Sequence, residues 1–330
     1  RYRILVCVTI LQALMNPIAS LVLIRINGGT AMMRILGIVG VQVCICVPII
    51  VFQFCKGKEF FSKEHWGYAL RIGIPIVPHY LSGIILNQGD RIMIDKMVGK
   101  TEVALYGLAY SIGMLVQLFI SGMNSALTPW MYSKIKKGDI RSMRKVLQLL
   151  SIVVVGIAVA LMLISPELVL IFGSPKYREA VYVIPPVAAS VFFIFIYNIL
   201  SMPQFYYEKT QFLMAASMAA AGANVVLNFI FIRLFGYIAA GYTTLACYML
   251  YSVGHYIVSK RILVNEGIQE NLMNPGFLLA CSVFLIGASI ICNLIFPYRI
   301  LRYAILLASA GLVFWKKELL LKTMADIRKK

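Results

Sequence analysis

Apolar residues fill this chain in long blocks separated by short polar clusters, and the blocks share a common length. Ten of them lie at 4–24, 35–55, 68–97, 103–132, 146–172, 181–202, 212–235, 237–258, 276–296 and 300–315. A helix rises about 1.5 Å per residue and the hydrocarbon core is roughly 30 Å thick, so about 20 mainly apolar residues make one crossing. The pattern therefore predicts an all-α polytopic membrane protein of about ten transmembrane helices. The intervening segments are too short to fold into a domain outside the bilayer.

Composition agrees with that picture. Hydrophobic residues make up 61% of the 330 positions and charged residues only 13%, well beyond what a soluble domain uses. The formal net charge of +18 does not point to nucleic acid, because the basic residues sit in clusters between apolar blocks and not along one face. Read as topology signals, they orient the chain. With a cytoplasmic start, 21 of the 31 Lys and Arg fall inside, including the clusters at 134–145 and 316–330, and both ends of the chain are then cytoplasmic. The seven cysteines lie in or beside apolar blocks without CxxC spacing, and are expected to be small buried hydrophobes and not metal ligands or disulfides. The first block contains Gln12, Asn16 and Pro17 and is longer than a signal-peptide core. It reads as a true span of a chain whose beginning is missing.

Function in such a chain must be sought among polar residues placed within the spans. In the fourth block Tyr106, Tyr110, Gln117, Ser121, Asn124 and Thr128 fall at offsets 0, 4, 11, 15, 18 and 22. At 100° per residue these share one arc, predicting a helix that is polar along one side. Two readings fit: hydrogen-bonded glue between helices, or the wall of a water-filled cavity. In the third block His79, Gly83, Asn87 and Asp90 share an arc, with Arg91 at its border and Asp95 four residues on. Charges there should face protein or water. They either form an anchoring pair, Arg91 with Asp95 or Asp90 with some partner, or serve a cavity as anion-attracting or protonatable groups. Weaker stripes recur at Thr9, Gln12, Asn16 and Ser20, and at Ser217, Asn224 and Asn228. Pro75 with Pro78, Pro185 with Pro186, and Pro17 are candidate bend points.

Two stretches carry a family resemblance. GIPIVPHYLSGIILNQGDRIMIDKMVGKTEVALYGLAYSIG, from Gly73 to Gly113, resembles the seventh and eighth helices of the polysaccharide transporters, the O-antigen and capsule flippases, in which a Pro-containing helix runs to an Asp-Arg pair. YYEKTQFLM, from Tyr206, and NVVLNFIFIRLFGYIAAGYTTLACYML, from Asn224, are similar to the eleventh and twelfth. The resemblance covers roughly residues 70–260. It implies a two-lobe exporter fold of 12 to 14 helices with about four N-terminal helices absent here, and the Asp-Arg pair falls on Asp90 and Arg91.

Divided on that basis, 1–67 is the end of an N-terminal lobe, 68–262 a C-terminal lobe, 263–315 an extra helix pair and 316–330 a basic cytoplasmic tail. The implied function is alternating-access translocation of an undecaprenyl-pyrophosphate-linked oligosaccharide across the bacterial cytoplasmic membrane, with no cofactor, metal or catalytic group. Membrane lipids, polysaccharide assembly proteins and a coupling proton or sodium ion are the implied partners, and nucleic acid is not. The expected substrate-binding residues are Arg71, His79, Asn87, Asp90, Arg91, Tyr106, Tyr110, Gln117 and Asn124. Arg71 and Arg91 suit phosphate, and Tyr106, Tyr110, Gln117 and Asn124 suit sugars. A drug or lipid II exporter of the same superfamily and a membrane-embedded glycan polymerase or ligase stay open as alternatives. The absence of a DxD pair or a large external loop counts against the enzyme.

Overall fold

A computed structural model of the chain describes residues 2–26, 31–57 and 61–315; the basic tail expected at 316–330 lies outside the described residues. The described residues are helical with short connections. In chain order the helices are α1 (Tyr2–Ile26), α2 (Ala31–Gly57), α3 (Lys63–Met97), α4 (Lys100–Gly113), α5 (Val116–Lys136), α6 (Ile140–Phe172), a 3-10 segment (Pro175–Val183), α7 (Ile184–Tyr206), α8 (Thr210–Phe235), α9 (Ile238–Asn265), α10 (Pro275–Ile295) and α11 (Arg299–Trp315). Each of the ten expected blocks is helical. Among the described residues, seven helices are long and apolar enough to cross a membrane, and the pair α4 and α5 makes an eighth. The expected spans in α9 and α11 fall short of that test. Thr243, Thr244, Tyr248, Tyr251, Ser252, His255 and Ser259 lower the apolarity of α9, and α11 has only 17 residues.

The chain divides into two compact units, Arg1–Leu70 and Arg71–Lys330. In the first, α1 and α2 pack on each other. Gly37 permits that approach, since a Cβ there would lie 2.6 Å from the Ser20 Cα, a distance at which backbone would have to move. Ser20 Oγ donates to the Arg34 carbonyl at 3.3 Å beside it. With two helices packed only on one side, Cys7, Cys44, Cys46 and Cys55 are exposed. This corrects the expectation that all the cysteines are buried. Cys247 and Cys292 are buried, and all seven are free thiols.

The second unit is assembled around α7, which is buried along almost its whole length and packs against α4, α5, α6, α8, α9 and α10. An apolar helix surrounded on all sides is what a chain of Val, Ala, Phe and Ile without a polar face requires. Pro185 and Pro186 stand in its first turn and so cause no mid-helix bend, contrary to expectation. At that position the missing N–H has no intrahelical partner to lose. Asp139 caps α6 by accepting from Ser142 N at 3.3 Å. Asn274 caps α10, with Pro275 following it, by accepting from Gly276 N at 2.9 Å. Arg302 of α11 reaches α6, donating to both carboxylate oxygens of Glu167 at 2.8 Å and to the Leu163 carbonyl at 2.7 Å.

The fourth block is not one straight helix. It breaks between Gly113 and Val116, and α4 and α5 are bent by 42°. At the break Gly113 touches α7, where a Cβ would sit 2.6 Å from Val187 Cγ1. The single polar arc expected from Tyr106 to Thr128 therefore divides into two, because a fixed 100° step holds only while the helix continues.

Candidate functional site

Helix α3 buries one narrow stripe, Ser82, Leu86, Asp90 and Ile94, spaced by four residues as an α-helix demands. Asp90 is wholly enclosed, with no exposed surface. Its Oδ2 accepts from the Tyr106 hydroxyl of α4 at 2.5 Å and the Thr244 hydroxyl of α9 at 2.6 Å. Its Oδ1 accepts from Asn228 Nδ2 of α8 at 2.5 Å. The same amide nitrogen donates to Asn224 Oδ1 at 3.1 Å, and Thr243 Oγ1 donates to Asn228 Oδ1. One carboxyl group thus ties four helices together. A buried acid is costly unless hydrogen-bonded, and here neutral donors alone supply the bonds: Asp90 enters no ion pair among the described residues.

One helical turn away, Asn87 forms a second layer. Its Oδ1 accepts from the hydroxyls of Tyr110 at 2.7 Å and Tyr248 at 3.2 Å, and its Nδ2 donates to the Gly83 carbonyl at 2.8 Å. Asn87 also borders a cavity of about 370 Å³ walled by α3, α7 and α9, with His79, Tyr197, Asn198, Ser201, Tyr248 and Tyr251 among its lining residues. The Tyr251 hydroxyl lies 3.0 Å from His79 Nδ1. Tyr197 is parallel to Tyr248 within 7° and has its ring 4.5 Å from that of Tyr251. Behind this aromatic group His255 is fully buried, its Nδ1 2.8 Å from Gln204 Nε2.

The nine expected residues thus separate. Asp90 and Tyr106 form the sealed cluster, Asn87 and Tyr110 bridge from it toward the cavity, and His79 lines the cavity. Arg91 is half-buried beside them: it donates to Gln88 Oε1 at 3.0 Å, its guanidinium lies 5.3 Å from the centre of the Tyr110 ring, and its Nε has no hydrogen-bond partner among the described residues. No Arg91–Asp95 pair forms among the described residues, and Asp95 is exposed. Gln117 and Asn124 lie on α5 beyond the bend, each with a buried side-chain oxygen lacking a partner among the described residues. Ser121 and Thr128 are satisfied by the carbonyls of Gln117 at 2.9 Å and Asn124 at 2.7 Å in their own helix. Arg71 is exposed and is not brought into either group.

The residues that sequence reasoning missed are Tyr197, Asn198 and Ser201 of α7 and Thr243, Thr244, Tyr248 and Tyr251 of α9. A signal was present in α9, where Thr244, Tyr248, Tyr251, His255 and Ser259 recur at intervals of three and four. In α7 the polar positions are too few, within an otherwise apolar helix, to register as a stripe.

A helical bundle that is apolar on its outward faces, with a hydrogen-bonded core and a partly open polar cavity, is the architecture of a multi-pass membrane protein. A family model described as Polysaccharide biosynthesis protein matches residues 1–136, and a second, described as MatE, matches residues 75–230. Over residues 1–230 the chain is thus similar to polysaccharide biosynthesis proteins and to the MatE family, each model matching less than half of it. It is 29% identical over 159 residues to a protein of the Lsg locus of Haemophilus influenzae, a stretch covering 46% of this chain and 38% of that protein. It is 29% identical over 191 residues to an uncharacterized membrane protein of the same organism, covering 54% of this chain and 46% of the other. The chain thus matches less than half the length of these curated relatives. No solved structure matches it.

Proposed function

We propose that the protein translocates a lipid-linked oligosaccharide repeat unit across the bacterial cytoplasmic membrane, for surface polysaccharide such as O-antigen or capsule, with both ends of this chain cytoplasmic. The observation that carries this reading is the cavity of about 370 Å³, with hydroxyl and amide groups on its wall, in a helical bundle similar to polysaccharide biosynthesis proteins. The physical task is to hold a hydrated head group in polar surroundings while the polyprenyl tail stays in lipid, and mixed amide, phenol and imidazole walls suit that task. Arg91, half-buried and with an unpaired Nε, takes the phosphate in this reading, as a planar donor fork does well. Cells lacking the full-length protein should accumulate the lipid-linked repeat on the cytoplasmic leaflet; normal export without accumulation removes the proposal. Arg91→Gln should abolish surface glycan at unchanged protein level, and unchanged glycan removes Arg91 from the mechanism.

Asp90 is the group assigned to proton or sodium coupling. Its support is a carboxyl group enclosed by hydroxyl and amide groups with no cationic side chain on it, a place where an added proton or a small hard cation would meet oxygen ligands. Transport in vesicles should respond to an imposed ion gradient and lose that response in Asp90→Asn. Transport indifferent to every gradient discards the coupling role and leaves translocation itself standing.

A further inference from the structure

We propose that the cavity between α3, α7 and α9 is a subsite for a single uncharged sugar ring of the transported glycan, held on Tyr197 and Asn198. The inference rests on the transporter reading above and deepens it. At about 370 Å³ the cavity is at the small end of ligand sites, which run from roughly 300 to 1,000 Å³. It suits one small ring and not a whole repeat unit.

Its chemistry is that of a carbohydrate site. A pyranose has C–H faces and a rim of hydroxyls that both donate and accept. The Tyr197 ring, half-buried on the cavity wall and packed against Tyr248, Tyr251 and His255, offers its remaining aromatic surface to the first. The Tyr197 hydroxyl and the Asn198 amide offer donors and acceptors to the second, and neither has a hydrogen-bond partner among the described residues. Most other polar groups on the wall are already engaged: Asn87 by Tyr110 and Tyr248, His79 by Tyr251, and Ser201, which donates to the Asn198 carbonyl at 2.8 Å. Those bonds hold the wall rigid and leave Tyr197 and Asn198, with the exposed Tyr80 at the rim, as its open positions. Parallel packing on Tyr248 and close contact with Tyr251 fix the Tyr197 ring in advance, which lowers the entropy lost on binding.

Charge decides which sugars fit. No Lys, Arg, Asp or Glu is among the lining residues. A uronic acid or a pyrophosphate placed there would give up hydration without gaining an ion pair, so the subsite selects a neutral hexose or N-acetylhexosamine.

The test is saturation-transfer NMR on the full-length transporter in nanodiscs, with methyl glucoside and methyl N-acetylglucosaminide as neutral probes and methyl glucuronide and inorganic pyrophosphate as charged ones. At least one neutral probe should bind saturably, at least about tenfold more tightly than methyl glucuronide. Tyr197→Leu should weaken it by about tenfold and Asn198→Ala by about threefold, the scale of one stacking contact and one hydrogen bond. Pyrophosphate should not compete. Failure of both neutral probes to bind overturns the subsite, as does binding that both substitutions leave unchanged or that methyl glucuronide matches. Any of these together with accumulation of lipid-linked repeats in cells lacking the protein overturns the subsite alone and keeps the translocation reading.

Discussion

The cluster around Asp90 and the cavity beside Tyr197 share helices α3 and α9, yet one is closed and the other open. Around Asp90 every oxygen of the carboxyl group has a donor, and no surface is left. Beside Tyr197 a cavity stays open between α3 and the packed pair α7 and α9, and a phenol and an amide are left without partners among the described residues. The difference teaches that polar residues in membrane helices serve two ends, which hydrogen-bond closure tells apart. A closed network holds helices in register and leaves room for nothing larger than a proton or a small cation, whereas an open one has capacity left for a larger ligand.

The largest effect expected from breaking this contrast is on the closed side. Asp90→Ala removes the acceptor shared by Tyr106, Thr244 and Asn228, and buried donors left without partners each cost about 1–3 kcal/mol. Thermal unfolding in detergent should show a loss on the order of 3 kcal/mol, the greatest of any single change near the two groups. A loss below that of Tyr106→Phe would mean the network is not closed.

A smaller effect sharpens the contrast directly. Tyr106→Phe deletes one of three donors to Asp90 and should cost about 1 kcal/mol. Tyr197→Phe deletes a hydroxyl that has no partner and should change stability by less than about 0.5 kcal/mol. Equal shifts in unfolding temperature for the two variants would erase the distinction.

Smallest of all is the change expected on α5. Gln117→Leu and Asn124→Leu each remove a buried oxygen that has no hydrogen-bond partner among the described residues, so replacing it by a similar apolar shape should be neutral within about 0.5 kcal/mol or slightly stabilising. A loss of more than about 1 kcal/mol from either would place a partner on it.

Much of the helical layout could be read from block length alone, because a bilayer sets both the length and the apolarity of whatever crosses it. Asp90 and Asn87 were visible on one arc of α3 for the same reason: within an unbroken helix, spacing is geometry. The reading failed where the helix did not continue. Tyr106 and Tyr110 join Asp90 and Asn87, while Gln117 and Asn124 do not, because contact between Gly113 and Val187 accompanies a break that no periodicity in the block announces. Pro185 and Pro186 qualify as a candidate bend point in sequence for the complementary reason: a helix start within an apolar run looks the same as its middle.

By itself the sequence determined that this chain is a set of membrane helices, how many polar groups each brings and, within an unbroken helix, on which side, since those follow from local geometry and the cost of polar surface in hydrocarbon. Only the tertiary structure decided that Asp90 is sealed by Tyr106, Asn228 and Thr244, and that Tyr197 and Asn198 of the most deeply buried helix border a cavity. Those outcomes depend on which faces meet across α3, α4, α7, α8 and α9, and that is fixed by packing between segments as far as 172 residues apart.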